Sequence, residues 1–494
     1  MSNWSLESSS DHCPIRRRTR RDPKPHFKPD RTDQLDAIVG CPALQVPTDH
    51  LARIVWGVVE HFDLSGIEAR YSSLGRRGYS PRNLLAVWIY ASLVGLHHAT
   101  EVARQLHTDA AFRLLSGEHT ISRQTLNRFR ASNGKLFESA INQTVKMAET
   151  MGLLPLEDLA LDSMRLRAHA SSREIRTLAR STKRVEELRA TDTTGFSDEE
   201  RVVLGKKIEK HERVIAQCQT HNVTNFVTTN EAAALIKFPE GNSAPGHRIT
   251  AVAVGMRERF ILTVLVTADT TDYDLLKPAV EKVLTTLNLL GIDQKQIQMA
   301  ADAGYCSQTN LELIERLRQK IDILVDAGRA PGRHESRFFS RECFDVHDDN
   351  TAHCPAGRRM HGPRKRSGKR LAWFGVDCGS CHLKSQCTDG VVRTVEIQPE
   401  LDRLRGTMAA RLATDEGKHR YRRRMATIEP VFSYLESVMN FRRASSRKRE
   451  TILAEVALKV LAYNVSRLLA ARRLLLVYCL VTEKGLLVPL QIEF

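Results

Sequence analysis

Nowhere in this chain do apolar residues run on for the about 18 to 20 positions that a bilayer-spanning helix needs. The longest stretches, such as Leu474 to Leu476 and their neighbours up to Val481, fall well short of it. A secretory leader is not expected either, because Arg16, Arg17, Arg18, Arg20 and Arg21 are followed by no apolar segment; a cytoplasmic, nucleoid-associated location is the expectation. Repeat periods and long low-complexity tracts are missing, which excludes solenoids and fibrous arrays. Ten cysteines in 494 residues do not make a disulfide framework, and four of them cluster, which points to metal instead. What the chain has in excess is positive charge: 74 Lys and Arg against 58 Asp and Glu, a net +16. A polyanion such as nucleic acid is the natural partner, held by an attraction that salt weakens steeply. The alternative is a merely basic soluble protein.

The pattern changes along the chain. Residues 1–45 are polar, basic and broken by Pro14, Pro23, Pro25 and Pro29, so they are expected to form a flexible basic arm. Residues 46–154 carry apolar side chains at helical spacing (Leu51, Ile54, Val55, Val58; Leu84, Leu85, Trp88, Ile89), interrupted at glycines. An all-helical domain is expected, with Ser80-Pro81 opening one helix, Thr100 capping another, and Ser122 capping a basic one with Arg123, Asn127, Arg128 and Arg130. A short basic helix at the end of such a set suits the DNA major groove; a bundle with a solvated basic face is the alternative.

From Asp158 to His169 apolar and polar residues alternate, as in a half-buried strand. Residues 173–220 read as an exposed helical hairpin with a break at Thr193 to Ser197. Arg248 to Val254 and Phe260 to Thr267 predict an antiparallel hairpin; Leu275 to Leu290 a helix; Ile297 to Ala301 a strand; Thr309 to Lys320 a helix; Ile321 to Val325 another strand. The order implies an α/β fold, a mixed sheet with helices on its faces. Residues 328–397 dissolve into Gly, Arg, His and Cys. Helices resume at Glu400 to Leu412, Tyr421 to Met439 and Glu450 to Leu474.

Three acidic residues stand where this pattern concentrates chemistry. Asp302, in Ala-Ala-Asp-Ala-Gly-Tyr, is delivered to the carboxyl edge of the sheet, where α/β sheets keep their sites. Asp162 lies in the strand-like run expected beside it. Glu429 lies on a helix, followed by Pro430, which costs an interior helix about 3 kcal/mol. Three hard oxygen donors suit two Mg²⁺ or Mn²⁺ ions, the arrangement that activates an attacking oxygen and stabilises a leaving one at phosphorus.

With these residues in view the chain resembles the DDE transposases of bacterial insertion sequences, whose catalytic core is RNase H-like. The resemblance rests on Thr-Ile-Ser-Arg…Phe-Arg (120–130), Leu-Asp-Ser-Met-Arg-Leu-Arg-Ala (161–168), Asp-Ala-Gly-Tyr (302–305), Cys-Pro-Ala-Gly…Cys-Xaa-Xaa-Cys, and Tyr-Arg-Arg-Arg…Ile-Glu-Pro-Val-Phe (421–432), and spans nearly all of 45–470. It implies Asp162, Asp302 and Glu429 as the catalytic, metal-binding acids of a catalytic domain over 155–470. Tyr421 and Arg424 fall where the family places a Tyr and an Arg that contact DNA or order the helix. Departures are Ser163 and Arg165, where Gly and Lys are usual, and Glu436, where relatives carry Lys. The implied activity is metal-dependent cleavage at the element's ends and strand transfer into double-stranded target DNA, by a homodimer or higher assembly. A metal nuclease that does not join ends, and a DNA-binding protein without catalysis, are the alternatives; Glu436 favours the latter.

Cys354, Cys378, Cys381 and Cys387 suffice for a tetrahedral structural zinc, with His353, His361 and His382 as substitutes; unrelated reduced thiols are the alternative. The same segment holds Arg358, Arg359, Arg364, Lys365, Arg366, Lys369 and Arg370. A second basic cluster, Arg442, Arg443, Arg447, Lys448 and Arg449, follows the Glu429 helix and is better placed to grip a phosphate backbone. Residues 471–494 form a tail with no functional reading.

Overall fold

The computed structural model describes residues 27–34, 41–74, 76–269, 271–292, 297–327, 338–347, 349–366 and 370–482. Most of the basic arm, Lys369 and the end of the tail lie outside the described residues.

The amino-terminal part is helical, as its periodicity predicts. Besides two single turns, Pro42–Gln45 and Ser65–Glu68, the described helices are α1 (Leu51–Glu60), α2 (Pro81–Leu93), α3 (Ala99–Thr108), α4 (Ala110–Ser116), α5 (Arg123–Ser132) and α6 (Gly134–Thr150). Ser122 caps α5 by accepting the Thr125 N–H, which satisfies one of the orphan donors of its first turn. Thr100 does not cap α3: the N-cap is His98, and Thr100 lies inside the first turn. From Leu84 to Leu93 every residue of α2 is buried, so this helix has no solvent face and forms the middle of the bundle.

The second part is built on a mixed sheet. Strand β1 (Leu159–Arg167) is central, antiparallel to β2 (Ser243–Val254), which pairs with β3 (Phe260–Thr267). On its other side β1 runs parallel to β4 (Ile297–Ala301), and β4 parallel to β5 (Ile321–Val325). The order β3-β2-β1-β4-β5 is that of an RNase H-like α/β fold. β2 begins earlier than its apolar alternation predicts, because Pro245 and Gly246 do not read as strand formers. Their place is set instead by a short edge strand, Ala234–Lys237, and by Phe238, which sits where a Cβ on Gly246 would have to go.

Helix α7 (Leu178–Arg189) and helix α8 (Asp198–Thr220) form the hairpin after β1, with a Ser197–Glu200 capping box opening α8. Helix α9 (Leu276–Leu289) joins β3 to β4, and α10 (Gln308–Leu317) joins β4 to β5. The Cys-rich segment is more regular than expected. It contains a three-stranded antiparallel sheet (His361–Arg366, Arg370–Phe374, Thr394–Ile397) over a small core of its own around Trp373.

Helices α11 (Pro399–Ala413) and α12 (Asp415–Ser433) then return to the main sheet, and α13 (Arg449–Thr482) closes the fold. Between Ile452 and Leu469 the apolar residues of α13 are buried almost without interruption, because it is packed between α6, α2 and α5 on one side and β3 on the other. Asn464, fully buried there, donates to Ile261 O and Thr144 Oγ1 and accepts the Ile261 N–H, all within 2.9–3.1 Å. A buried amide satisfied by a strand and a helix at once fixes the register of α13 against both. One apolar core therefore runs through the helical layer and the sheet.

Candidate active site

β1 and β4 lie side by side in parallel register, Leu161 opposite Ala301. The next residue on each is an aspartate, so the pairing itself brings Asp162 and Asp302 together at one edge. A single guanidinium binds both. Arg424 of α12, buried, donates from Nη1 to Asp162 Oδ2 at 3.1 Å and places Nη2 3.5 Å from Asp302 Oδ1. Asp162 Oδ1 also accepts the Ser163 N–H at 2.7 Å. Burial pushes the Asp162 carboxyl above its usual range, the Ser163 N–H and Arg424 pull it down, and the charge of Asp302 pushes it up. Two carboxylates that repel each other in partial burial make a strong demand for a cation.

Two neighbouring arginines of the same helix, Arg423 within the Tyr-Arg-Arg-Arg motif and Arg420 just before it, explain how α12 is docked. Arg423 binds Asp158 Oδ2 at 2.7 Å at the start of β1, and Arg420 binds Asp322 Oδ2 at 2.6 Å on β5, where Arg411 joins it. Arg424 is turned toward the acid pair, so in this structure it ties α12 to the sheet. Tyr421 is half-buried beside it, ring centre 5.7 Å from the guanidinium, with its hydroxyl pushed up to about 12, chiefly by burial.

Glu429 does not join the two aspartates. It is exposed on α12, five residues past Arg424 and so about 140° around the helix from it. Among the described residues no three His, Cys, Asp or Glu side chains are grouped so as to hold a metal ion. In this structure two of the three acids stand together, with Arg424 as the cation on them, and Glu429 stands apart. Pro430 is truly interior. The hydrogen bond it cannot give leaves Ala426 O free, and Arg259 Nε, from the turn between β2 and β3, fills it at 3.1 Å. Beyond Ser433 the ladder widens to a π-turn over Tyr434–Val438, closed by Met439 N–H to Tyr434 O at 3.0 Å. Glu436 therefore does not lie on one continuous α-helical face with Glu429. It is half-buried, its carboxyl raised by burial and by Glu240 and lowered by Arg442.

Arg123 and Arg128 stand exposed on α5. Arg130 does not. It is 7% exposed, bonded to His97 O at 3.0 Å and Ser445 Oγ at 2.8 Å, and stacked on Trp88. Helical period, not charge, decides this: Leu126 and Phe129 face the core, and Arg130 is their neighbour on that face. Arg442, Arg443, Arg447, Lys448 and Arg449 are exposed. The segment runs beside the end of β1, Arg167 N–H donating to Arg442 O and Ala444 N–H to Arg167 O, so its charges rim the strand that carries Asp162.

The four cysteines do converge. Cys354, Cys378, Cys381 and Cys387 line one small cavity with Phe339, Pro355, Val376 and Leu383, while His353, His361 and His382 do not line it. The Cys387 thiol is pushed up by burial; Arg393 lowers it, and the other three cysteines raise it further. Soft donors facing one another in an apolar pocket fit a structural zinc in chemistry, though no three stand grouped as ligands.

Sequence reasoning missed a buried polar cluster where α5 meets α13: His97, Arg130, Ser445, Glu455 and Lys459, with His97 Nε2 3.2 Å from Glu455 Oε1. Its signal was the charges on an otherwise apolar α13.

Against known protein families, a transposase DDE domain model matches residues 353–469, and a transposase domain model (DUF772) matches residues 43–132. The first includes Glu429; Asp162 and Asp302 lie in neither, so their pairing rests on the geometry alone. Comparison with curated proteins finds no match.

Proposed function

From the premise that this chain belongs to the DDE transposases of insertion sequences, we propose that it cuts the ends of its element and joins them to target DNA. The observation that carries this reading is the adjacency of Asp162 and Asp302, set by strand register and balanced by one buried arginine. Asp162 and Asp302 would hold Mg²⁺ or Mn²⁺, with Glu429 brought in by rotation of its exposed side chain or a shift of the Pro430 turn. When bound, two such ions supply activation of the attacking oxygen and stabilisation of the leaving one. Arg424 then has to release the carboxylates, which frees its guanidinium for a phosphate oxygen of the scissile strand. Arg442, Arg443 and the cluster beyond them hold the backbone beside β1, and Arg123 and Arg128 present α5 to the duplex. With the reacting phosphate fixed this way, water and then the freed 3′-hydroxyl attack from one place, and no covalent enzyme intermediate is needed.

In this reading residues 46–154 are a DNA-binding layer, 155–470 the catalytic domain with insertions at 173–220 and 328–397, and 1–45 a basic arm. Two ends must be cut together, so a homodimer or larger assembly forms on double-stranded DNA. The four cysteines close on zinc and stiffen the insertion; Zn²⁺ stoichiometry in the wild type against Cys378→Ser tests this, one ion per chain expected and none in the variant. A second reading, DNA binding without catalysis, draws on Glu436, a carboxylate where a phosphate-holding cation is usual. A strand-transfer assay with Mg²⁺ on a plasmid carrying the flanking ends separates them. Joined product supports the proposal, cut product alone indicates a nuclease, and bound but unchanged DNA indicates the second reading.

A further inference from the structure

Asp162 sits within β1, but Asp302 does not sit within β4. The strand ends at Ala301, and Asp302 leads directly into the tight turn Ala303–Tyr305. Two carboxylates that share cations need a fixed separation, yet one of them rides on backbone that has already left the ladder. The front-face tie through Arg424 is one that the proposed reaction releases. Some other contact has to hold the turn while cations occupy the pair.

The reverse face of the sheet supplies it. Tyr305, three residues past Asp302, is fully buried, and its hydroxyl lies 2.8 Å from Ser163 Oγ. Ser163 is the residue next to Asp162, so it points to the face opposite Asp162. Its Oγ is also 2.8 Å from Thr250 Oγ1 on β2, and its own N–H holds Asp162 Oδ1. The base of the turn is anchored as well: buried Asn310 donates to Tyr305 O at 2.9 Å and to Tyr273 O at 2.6 Å. Beside it Arg248 pairs with Asp272, whose carboxylate lies next to Gly304. Burial keeps the Tyr305 phenol protonated far above neutrality, so it stays a neutral donor and acceptor. Three strands, through Thr250, Ser163 and the turn after β4, are thus linked by one chain of hydroxyls directly behind the acid pair.

We infer that Tyr305 and Ser163 are positioning residues of the Asp162–Asp302 pair: their hydroxyl tie sets the separation of the two carboxylates for a divalent cation. Neither touches substrate or cation. The inference rests on the reading of the pair as the metal site. Outer partners of this kind hold ligand orientation, and their removal weakens metal binding by about ten- to a hundredfold.

The test measures Mn²⁺ binding to the full-length protein by calorimetry, and the Mn²⁺ concentration that half-saturates DNA cleavage, alongside DNA affinity without metal. Tyr305→Phe removes one oxygen and keeps the buried ring. It should raise the half-saturating Mn²⁺ about tenfold while leaving metal-free DNA affinity within twofold. Ser163→Ala should do the same, the double variant should be no worse than the poorer single one, and Ser163→Thr, which keeps a hydroxyl, should recover most of the loss. Coupled, non-additive losses identify a shared tie. Unchanged metal dependence in Tyr305→Phe, or strictly additive losses in the double variant, would overturn the inference. Asp302→Asn in the same assay separates the two levels. If it loses Mn²⁺ binding while Tyr305→Phe does not, the tie is wrong and the metal site stands; if it binds Mn²⁺ like the wild type, the metal-site reading itself fails.

Discussion

Replacing Arg424 with alanine should weaken the metal-free protein and at the same time increase the stabilisation that divalent cations give it. The Arg424 side chain is 8% exposed, while Asp162 is 25% and Asp302 48% exposed. The contact with half-exposed Asp302, at 3.5 Å, is screened and contributes at most about 1 kcal/mol. Stripping one partner from a buried pair costs about 3–5 kcal/mol. Asp162 keeps its Ser163 N–H and some solvent, so about 2–3 kcal/mol is the reasonable loss there. A total near 3 kcal/mol in EDTA follows, or several degrees in Tm. Adding Mg²⁺ reverses the comparison, because in the wild type a cation must displace the guanidinium and in the variant it need not. If the variant binds Mg²⁺ tenfold more tightly, saturating metal stabilises it by about 1.4 kcal/mol more than the wild type. Thermal denaturation of both proteins in EDTA and in Mg²⁺ reads this directly. A variant as stable as wild type in EDTA, or one with no larger Mg²⁺ shift, would refute the assignment of Arg424 as the cation of the acid pair.

Arg130→Ala should lower stability by about 3 kcal/mol by leaving buried Glu455 short of positive charge, with any loss of DNA affinity following from that. Arg128→Ala should do the opposite, leaving Tm in place and reducing the salt slope of DNA binding by about one unit. Stability should fall as pH drops from about 6.5 toward 4. His97 and His247 are each pulled down to about 4, mainly by burial, so the unfolded chain takes up protons that the folded one refuses over that window. Each contributes up to about 3 kcal/mol of that loss, and a His247→Gln variant should flatten the Tm–pH curve. Glu436→Lys should tighten DNA binding several-fold at low salt by replacing a carboxylate with a cation near the 442–449 cluster, and filter binding against the wild type checks it.

How much of this was legible in the residues depends on how local the cause is. The strands of the sheet read correctly because the alternation in Leu159–Arg167 and the β-prone run Phe260–Thr267 are properties of neighbours, and strand register then carried Asp162 to Asp302. The extension of β2 through Pro245 and Gly246 did not read, since it is imposed by Phe238 and an edge strand. Arginines misled most. Arg130, Arg420, Arg423 and Arg424 look alike in sequence to Arg123 and Arg128, but the first four are claimed by Glu455's neighbourhood, Asp322, Asp158 and the acid pair. Only packing distinguishes a cation that docks a helix from one left for phosphate. The π-turn after Pro430 was equally hidden, because it depends on where the chain must go to bring Phe441 and Ala444 into the core.

The central claim is that Asp162 and Asp302 share bound cations in the working enzyme, with Glu429 drawn in beside them. Loading the DNA-bound protein with Fe²⁺ in place of Mg²⁺ and letting peroxide cut the backbone near the iron maps that site without relying on turnover. Cuts next to residues 162 and 302, with a further one near 429, all suppressed by excess Mg²⁺, are the predicted result. Cuts confined to the cysteine segment, or a pattern that Asp162→Asn leaves unchanged, would contradict it.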